Sequence, residues 1–382
     1  MPTPDDLTKT PTTLSQDKVR RYKCPGCGAD LLFEPKNGAL TCPFCEHQER
    51  IPESKEEIVE QSYEKYLQLR PDQLQALAPN ALEVACTSCG AQVIFQPPQV
   101  AGKCGFCGAP IVAQPKVPDP ILCPEAVLPF RLAKDEAAGA IQRWISSRWL
   151  APNDLKRFAV TGEISGMYVP FWTYDAYTNT HYSGQRGDYY YETEYYTEVD
   201  SEGKSVQSSR QVQRTSWHLV SGSLSRWFDD VLVSGTKSLR KDHLEQLEPW
   251  DLSELKVYDP SFLAGYLAQR YETGVADGFE QAKLYTSAVI QSDVRRDIGG
   301  DEQRVFEVDT NYSAITFKHI LLPVYVGAYH LHNKLFQLVV NARTGEVQGE
   351  RPYSWIKITL LVLTIIAIVA ALIIWYQGQT QY

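Results

Sequence analysis

Hydrophobic residues are spread unevenly along this chain, and their spacing changes from one region to the next. From Ile356 to Tyr376 the run is almost entirely apolar, and its only charge is Lys357 at the edge. At 1.5 Å per residue such a run spans roughly 30 Å, the thickness of a bilayer's hydrocarbon core. Trp355, Trp375 and Tyr376 bracket it as interfacial aromatics do. The pattern predicts a transmembrane helix over 355–376 and a short tail at 377–382. Elsewhere the period is helical or alternating. Ser54 with Glu57 makes a capping-box pattern, and Ile58, Val59, Tyr63, Tyr66 and Leu67 follow at helical spacing up to Pro71. Ile141, Trp144, Ile145 and Trp149 place one apolar side on a second helix, and Asn153 or Asp154 is set to cap a short third one.

Aromatic and β-branched residues dominate 166–199, which reads as strand. Residues 200–209 then read as a hairpin loop and 210–225 as the return strand. Residues 252–297 read as mostly helical, with breaks at Pro260 and Gly274. Residues 304–350 return to strands, with turns at 332–334 and 343–346, Gly345 supplying a positive φ at the latter. The stretches 168–177 and 321–330 resemble each other faintly, each placing a proline before an aromatic strand. The expected organisation is a disordered leader (1–20), a first cysteine-rich module (21–50), a helical linker (51–81), a second module (82–110), a Pro-rich linker (111–124) and an α+β body (125–352). The anchor and tail follow.

The two modules carry the strongest chemical signal. Cys24, Cys27, Cys42 and Cys45 form one frame, and Cys86, Cys89, Cys104 and Cys107 form another. Each consists of two C-x2-C pairs separated by 14 residues. A C-x2-C pair is a tight knuckle whose two sulfurs point at one ion, and Gly28 and Gly90 follow the first knuckle of each frame. Modules of about 25 residues bury too little apolar surface to fold alone. Four thiolates around Zn²⁺ supply the missing stability, on the order of 10–16 kcal/mol apparent. The expected cofactor is therefore zinc, two ions, with iron in a rubredoxin-like site as the rival. The polar opening at 1–20 reads as a leader and not as a signal peptide, so the thiols are expected in a reducing compartment. His47 is placed to hydrogen-bond a sulfur. The ninth cysteine, Cys123, reads as a plain buried thiol.

Charge narrows the use of these modules. The chain carries a formal charge of −9, which argues against a protein built mainly to hold nucleic acid. In the first module Arg20, Arg21, Lys23, Lys36 and Arg50 nearly balance Asp30, Glu34, Glu46 and Glu49. The second has one charge of each sign, Glu83 and Lys103. Only "VRRYK" before Cys24 is a basic cluster. For an enzyme the signals are weak. "SGTKSL" at 234–239 fails as a Walker A loop, because Thr236 precedes Lys237 and Asp230 stands five residues before Gly235. His330 and His332 would share one strand face and read as a surface or packed pair, with metal binding the alternative. The tyrosines of 189–196 read as packing or covering a sheet, with a ligand platform the alternative. No catalytic residue is expected.

The chain resembles the bacterial membrane-attached proteins that carry a transcription-factor-IIB-type zinc ribbon, often labelled primosomal protein N′ (replication factor Y), superfamily II helicase-like. The resemblance rests on "CPGCGADLLFEP", "CPFC", "CTSCGAQVIF", "LPF" at 128–130, "APNDLK", "GMYVPFWTYDAYTNTHYSGQRGDYY", "DPSFLAGYLAQRY" and "NARTGEVQGERP". It implies a cytoplasmic double-ribbon module, an α+β body and a terminal membrane helix. Helicase activity is not expected, since the chain lacks a Walker A loop. Positive-inside reasoning agrees on orientation: Arg343, Arg351 and Lys357 precede the span and the tail has no basic residue. The expected function is a non-enzymatic, membrane-anchored docking protein for a protein partner. The alternatives are a tethered nucleic-acid-binding protein and a thiol or zinc sensor.

Overall fold

The structure is a computed structural model. It describes residues 22–52, 54, 56–68, 82–95, 101–112, 122–148, 164–199, 203–331, 334–350 and 354–379. Several expectations fall outside these residues: the leader, the Arg20–Arg21 part of the basic cluster, Pro71, Trp149 and the helix after Asn153 or Asp154. So do most of the Pro-rich linker, His332, the His330 side chain and the end of the tail.

In chain order the elements are β1 (Leu32–Glu34), β2 (Ala39–Thr41), β3 (Gln48–Arg50), β4 (Gln61–Ser62), α1 (Tyr63–Leu67), β5 (Leu82–Ala85), β6 (Gln92–Phe95), β7 (Ala101–Lys103) and β8 (Pro110–Val112). The body then adds β9 (Ala126–Val127), α2 (Lys134–Ser146), β10 (Ile164–Val199), β11 (Ser205–Ser234), α3 (Lys241–Glu245), β12 (Lys256–Val257), β13 (Leu267–Gln269), α4 (Val275–Ile298), β14 (Glu302–Leu331), β15 (Lys334–Asn341) and β16 (Val347–Gly349). Last comes α5 (Trp355–Gln379), whose segment Trp355–Ile373 has a mean hydropathy of 2.8 and is unburied, so it is long and apolar enough to cross a membrane. The class is α+β, with two small four-cysteine modules, a mixed body and one apolar C-terminal helix.

Three local readings need correction. The helix expected from Ser54 shrinks to Tyr63–Leu67, capped by Ser62, whose hydroxyl accepts from the Lys65 N–H. The reason is tertiary: Gln61 and Ser62 pair with Phe317 and Thr316, which holds the preceding residues extended. Residues 252–274 are not helical beyond two single 3₁₀ turns, Leu252–Glu254 and Pro260–Leu263, because β12 and β13 are recruited as sheet strands. The hairpin loop is shorter than expected, since β11 begins at Ser205.

The body is a duplicated unit with exchanged first strands. Each half runs short strand, helix, long strand, hairpin partner: β9–α2–β10–β11, then β13–α4–β14–β15. The long strands pair antiparallel, Tyr168 with Pro323 and Pro170 with Leu321, symmetrically about Val169 and Leu322. β13 lies parallel to β10, Tyr168 opposite Ala268, while β9 lies parallel to β14, Leu321 opposite Val127. The matching registers give a pseudo-twofold axis through the sheet, and the faint likeness of 168–177 to 321–330 marks the strands on either side of it. Alternation along β10 then separates two faces. Tyr168, Trp172 and Tyr174 point at the side of α2 and α4, whereas Met167, Val169 and Phe171 point at the side of α3.

Beyond this core, β10, β11 and the first half of β14 continue as a three-stranded arm. At about 3.3 Å per residue, the 36 residues of β10 cover roughly 120 Å. α4 lies along one face of the arm and buries Phe279, Ala282, Thr286, Ile290, Val294 and Ile298, mostly four residues apart. A Cβ on Gly278 would fall 2.3 Å from the Tyr174 hydroxyl, which itself donates to the Val275 carbonyl at 2.7 Å, so only glycine lets the helix come this close. β14 starts opposite Gly187, and past that point the hairpin has two strands. There Tyr191 and Tyr195 are 65% and 69% exposed, so of the two roles expected of the tip tyrosines, packing against a sheet or covering it, these two do not take the first.

Candidate metal centres

Both cysteine frames close into four-sulfur clusters, with the sulfurs of each within 4.8 Å of one another. In the first, Cys24 Sγ lies 3.3 Å from Cys45 Sγ and Cys27 Sγ 3.4 Å from Cys42 Sγ. In the second, Cys86–Cys107 and Cys89–Cys104 are 3.5 and 3.7 Å apart. A tetrahedron with metal–sulfur bonds of about 2.3 Å has sulfur–sulfur edges of about 3.8 Å, so each cluster can take one ion with little adjustment. The donor set, four thiolates, suits zinc and also accepts iron.

The four knuckles share one backbone. The N–H of the residue four past the first cysteine donates to that cysteine's carbonyl: Gly28, Glu46, Gly90 and Gly108, at 2.8 to 3.0 Å. All four residues are left-handed, with φ of 75°, 60°, 78° and 73°. The sequence reading found Gly28 and Gly90 but missed that the second knuckles obey the same rule. "CGFCG" carried the signal openly, while Glu46 hides it by being a rare non-glycine at positive φ. Backbone N–H groups also point at the sulfurs. Those of Cys45 and Phe44 hold the Cys42 thiol down at about 6, and burial resists those of Cys89 and Ser88 at Cys86, which still falls to about 7. Thiols beside them rise in turn: Cys45, despite the His47 N–H, to about 12 next to the other sulfurs, and Cys104 to about 11 through burial. Such donors favour the thiolate that a metal needs. His47 reaches Cys45 through its backbone and not its ring.

The modules sit on opposite faces of the body. The first packs on the α2 side through Leu31, Phe33 and Leu40. Phe33 meets Phe262 and Tyr266 edge-on at 5.6 and 6.4 Å, and its N–H donates to the Ala264 carbonyl. The second is built into the body's sheet: β6 pairs with β13, and the β7–β8 knuckle inserts Phe106 on the α3 side. Gln337 Nε2 donates to the Phe106 carbonyl at 2.9 Å. The β1–β2 pairing that links the knuckles of the first module has no counterpart among the described residues of the second.

The remaining candidates behave differently. Cys123, expected to be buried, is only half-buried, and its thiol is pushed up to about 11 by burial and the neighbouring Glu125. The SGTKS loop does form an anion cradle, but Glu272 occupies it. Its carboxylate accepts from the N–H groups of Lys237 and Ser238 and from the hydroxyls of Thr236 and Ser238, at 2.5 to 3.2 Å. Sequence reasoning missed an ionic cluster at the base of the arm, formed by buried Asp175 and Lys318 with the more exposed Asp230 and Glu60. Its members come from four separate segments, so no local pattern announces it.

No family model matches the chain, and no solved structure matches it. Among curated proteins the chain is similar to the uncharacterized protein YdjG of Bacillus subtilis (strain 168), at 26% identity over 342 residues, 87% of this chain and 90% of that protein.

Proposed function

We propose that this protein is a non-enzymatic, zinc-binding scaffold. α5 anchors it, its bulk lies on the cytoplasmic face, and its first ribbon docks a partner protein. One observation carries the reading. The two ribbons present opposite sides to the body: Phe106 in the second knuckle of ribbon two is 1% exposed, whereas the matching Phe44 of ribbon one is 80% exposed. The chain thus displays within itself what such a knuckle docks against, an apolar sheet surface, and leaves a second knuckle free. Resemblance to the membrane-attached double-ribbon proteins supports the anchor and the cytoplasmic placement, as does the basic flank Arg343, Arg351 and Lys357. The near-neutral ribbon favours protein over nucleic acid, and the Glu272-filled cradle favours a scaffold over a nucleotide enzyme. A photo-crosslinking residue at position 44, in protein held in its membrane, tests this. Protein adducts at that position support docking. Adducts with nucleic acid alone, weakening steeply with salt, would replace it by the nucleic-acid reading.

A further inference from the structure

The base of the arm is where β10 passes through two bulges, at Tyr174/Ala176 against β11 and at Asp175/Tyr177 against β14. Between them Asp175 is fully buried. Its Oδ1 accepts the N–H of Asp230 at 2.6 Å, and Asp230 is itself left-handed at φ 49°. Lys318, on β14, reaches Asp230 at 2.7 Å and Glu60 at 3.1 Å. Glu60 is the residue before β4, the two-residue strand by which the connector between the ribbons crosses the sheet edge. The connector packs Ile58 on the α3 side and Tyr63 and Tyr66 on the α4 side. Two carboxyl groups, Asp230 and Glu60, therefore hold one ammonium, and Asp175 adjoins both through the Asp230 N–H and the Thr316 hydroxyl.

Thr316 makes the protonation state legible. Its hydroxyl oxygen lies 2.8 Å from Glu60 Oε2 and 3.0 Å from Asp175 Oδ2. A hydroxyl has one hydrogen to give. Both contacts are full two-centre hydrogen bonds, as their short lengths favour over one shared hydrogen, only if one carboxyl is protonated and donates to the hydroxyl oxygen while the hydroxyl donates to the other. We propose that this single proton clasps the connector to the base of the arm, so that the ribbons' connector is held at low pH and released as the proton leaves. Asp175 is the proton's site. Burial first, then the neighbouring Glu60, pushes its carboxyl up to about 6. Burial also acts against the Glu60 charge, but the protonated Asp175 beside it, the Thr316 hydroxyl and the Lys318 ammonium hold that carboxyl below the ordinary range. Asp230 and Lys318 are the other charged groups facing the pair, from β11 and β14, and Glu125 meets Gln61 on the connector with its carboxyl pushed up to about 8 by burial, so it keeps its proton where Asp175 loses its own.

A group whose pKa is raised on folding contributes stability that is full below its unfolded value and lost as pH rises through its folded one. The clasp is therefore closed near pH 5 and open above about pH 6, with Glu60 and Asp175 then both ionised and repelling. Hydrogen exchange on the full, detergent-extracted, zinc-loaded chain tests this, reading residues 58–62 at about pH 5 and about pH 7, below the range in which Glu125 ionises, after correction for intrinsic rates. Protection should fall about tenfold at the higher pH, because Glu60 is partly exposed and its interactions screened. Asp175→Asn keeps an acceptor for the Asp230 N–H and gives Thr316 a permanent donor, so protection should no longer change with pH. Thr316→Val should lose the low-pH protection while leaving zinc content unchanged. Equal protection at both pH values in the natural chain would overturn the clasp. So would a pH response that survives in Asp175→Asn or in Thr316→Val.

Discussion

The two cysteine frames share a spacing but not a role in the fold. Ribbon one is a three-stranded unit resting on the body, held by Phe33 and its neighbours. Ribbon two has its hairpins divided between the body's sheet and the α3-side core, with Cys86, Cys104 and Cys107 all buried. One residue shows how the difference arises. Between the cysteines of the second knuckle, ribbon one has Pro43 and ribbon two has Gly105. A Cβ at 105 would stand 2.2 Å from Met167 Cε and 3.0 Å from Leu267 Cδ1, so a side chain there would have to push the ends of both aside. Pro43 would meet the same crowding, and its knuckle faces outward. The lesson is that a metal site fixes a knuckle's shape, while the residues inside the knuckle decide whether the chain itself or another molecule covers it.

The strongest way to break this comparison is to remove a ligand from each side. Cys104→Ser should lose one zinc and unfold the body with it, since metal binding at such sites is worth on the order of 10–16 kcal/mol. Cys45→Ser should also lose one zinc yet leave the body's thermal transition in place. Zinc stoichiometry and calorimetry on detergent-extracted protein distinguish the two. Next in size, Phe106→Ala should cost about 3–5 kcal/mol as a buried aromatic truncation, and Phe44→Ala should stay within about 0.5 kcal/mol, both measured by denaturant unfolding. Equal costs would mean that the two ribbons are not used differently. Gly105→Val should destabilise by about 1–3 kcal/mol through overpacking against Met167 and Leu267, whereas Pro43→Gly should change little. The smallest expected effect is at the left-handed position. Glu46→Gly should stabilise ribbon one by about 1 kcal/mol and slow its zinc release to a chelator, and Gly108→Ala should do the reverse in ribbon two.

The sequence was most informative where the relevant physics is local. C-x2-C spacing, the apolar run of α5, the helical period of Ile141 and Ile145, and the Gly345 turn each depend on a few neighbouring residues, and each is found in place. Residues 252–274 were misread because β12 and β13 are strands only by virtue of remote partners, Ala126–Val127 and Met167–Tyr168. The helix expected from Ser54 failed for the same reason, its first residues being taken by the edge of β14. The different placement of the ribbons is matched in the chain by Pro43 against Gly105. It gained meaning only once Met167 and Leu267 were seen behind the glycine. The Asp175 cluster draws its members from positions 60, 175, 230 and 318, and nothing in their spacing joins them.

The exchanged first strands of the body have a further consequence. β9 belongs by chain order to the first half but completes the sheet beside β14, and β13 does the converse beside β10. The halves are hooked through each other like two links, and neither can close its own sheet alone. A cut in the segment between Ser234 and Leu267 would leave two fragments that are each incomplete, yet each carries the strand the other lacks.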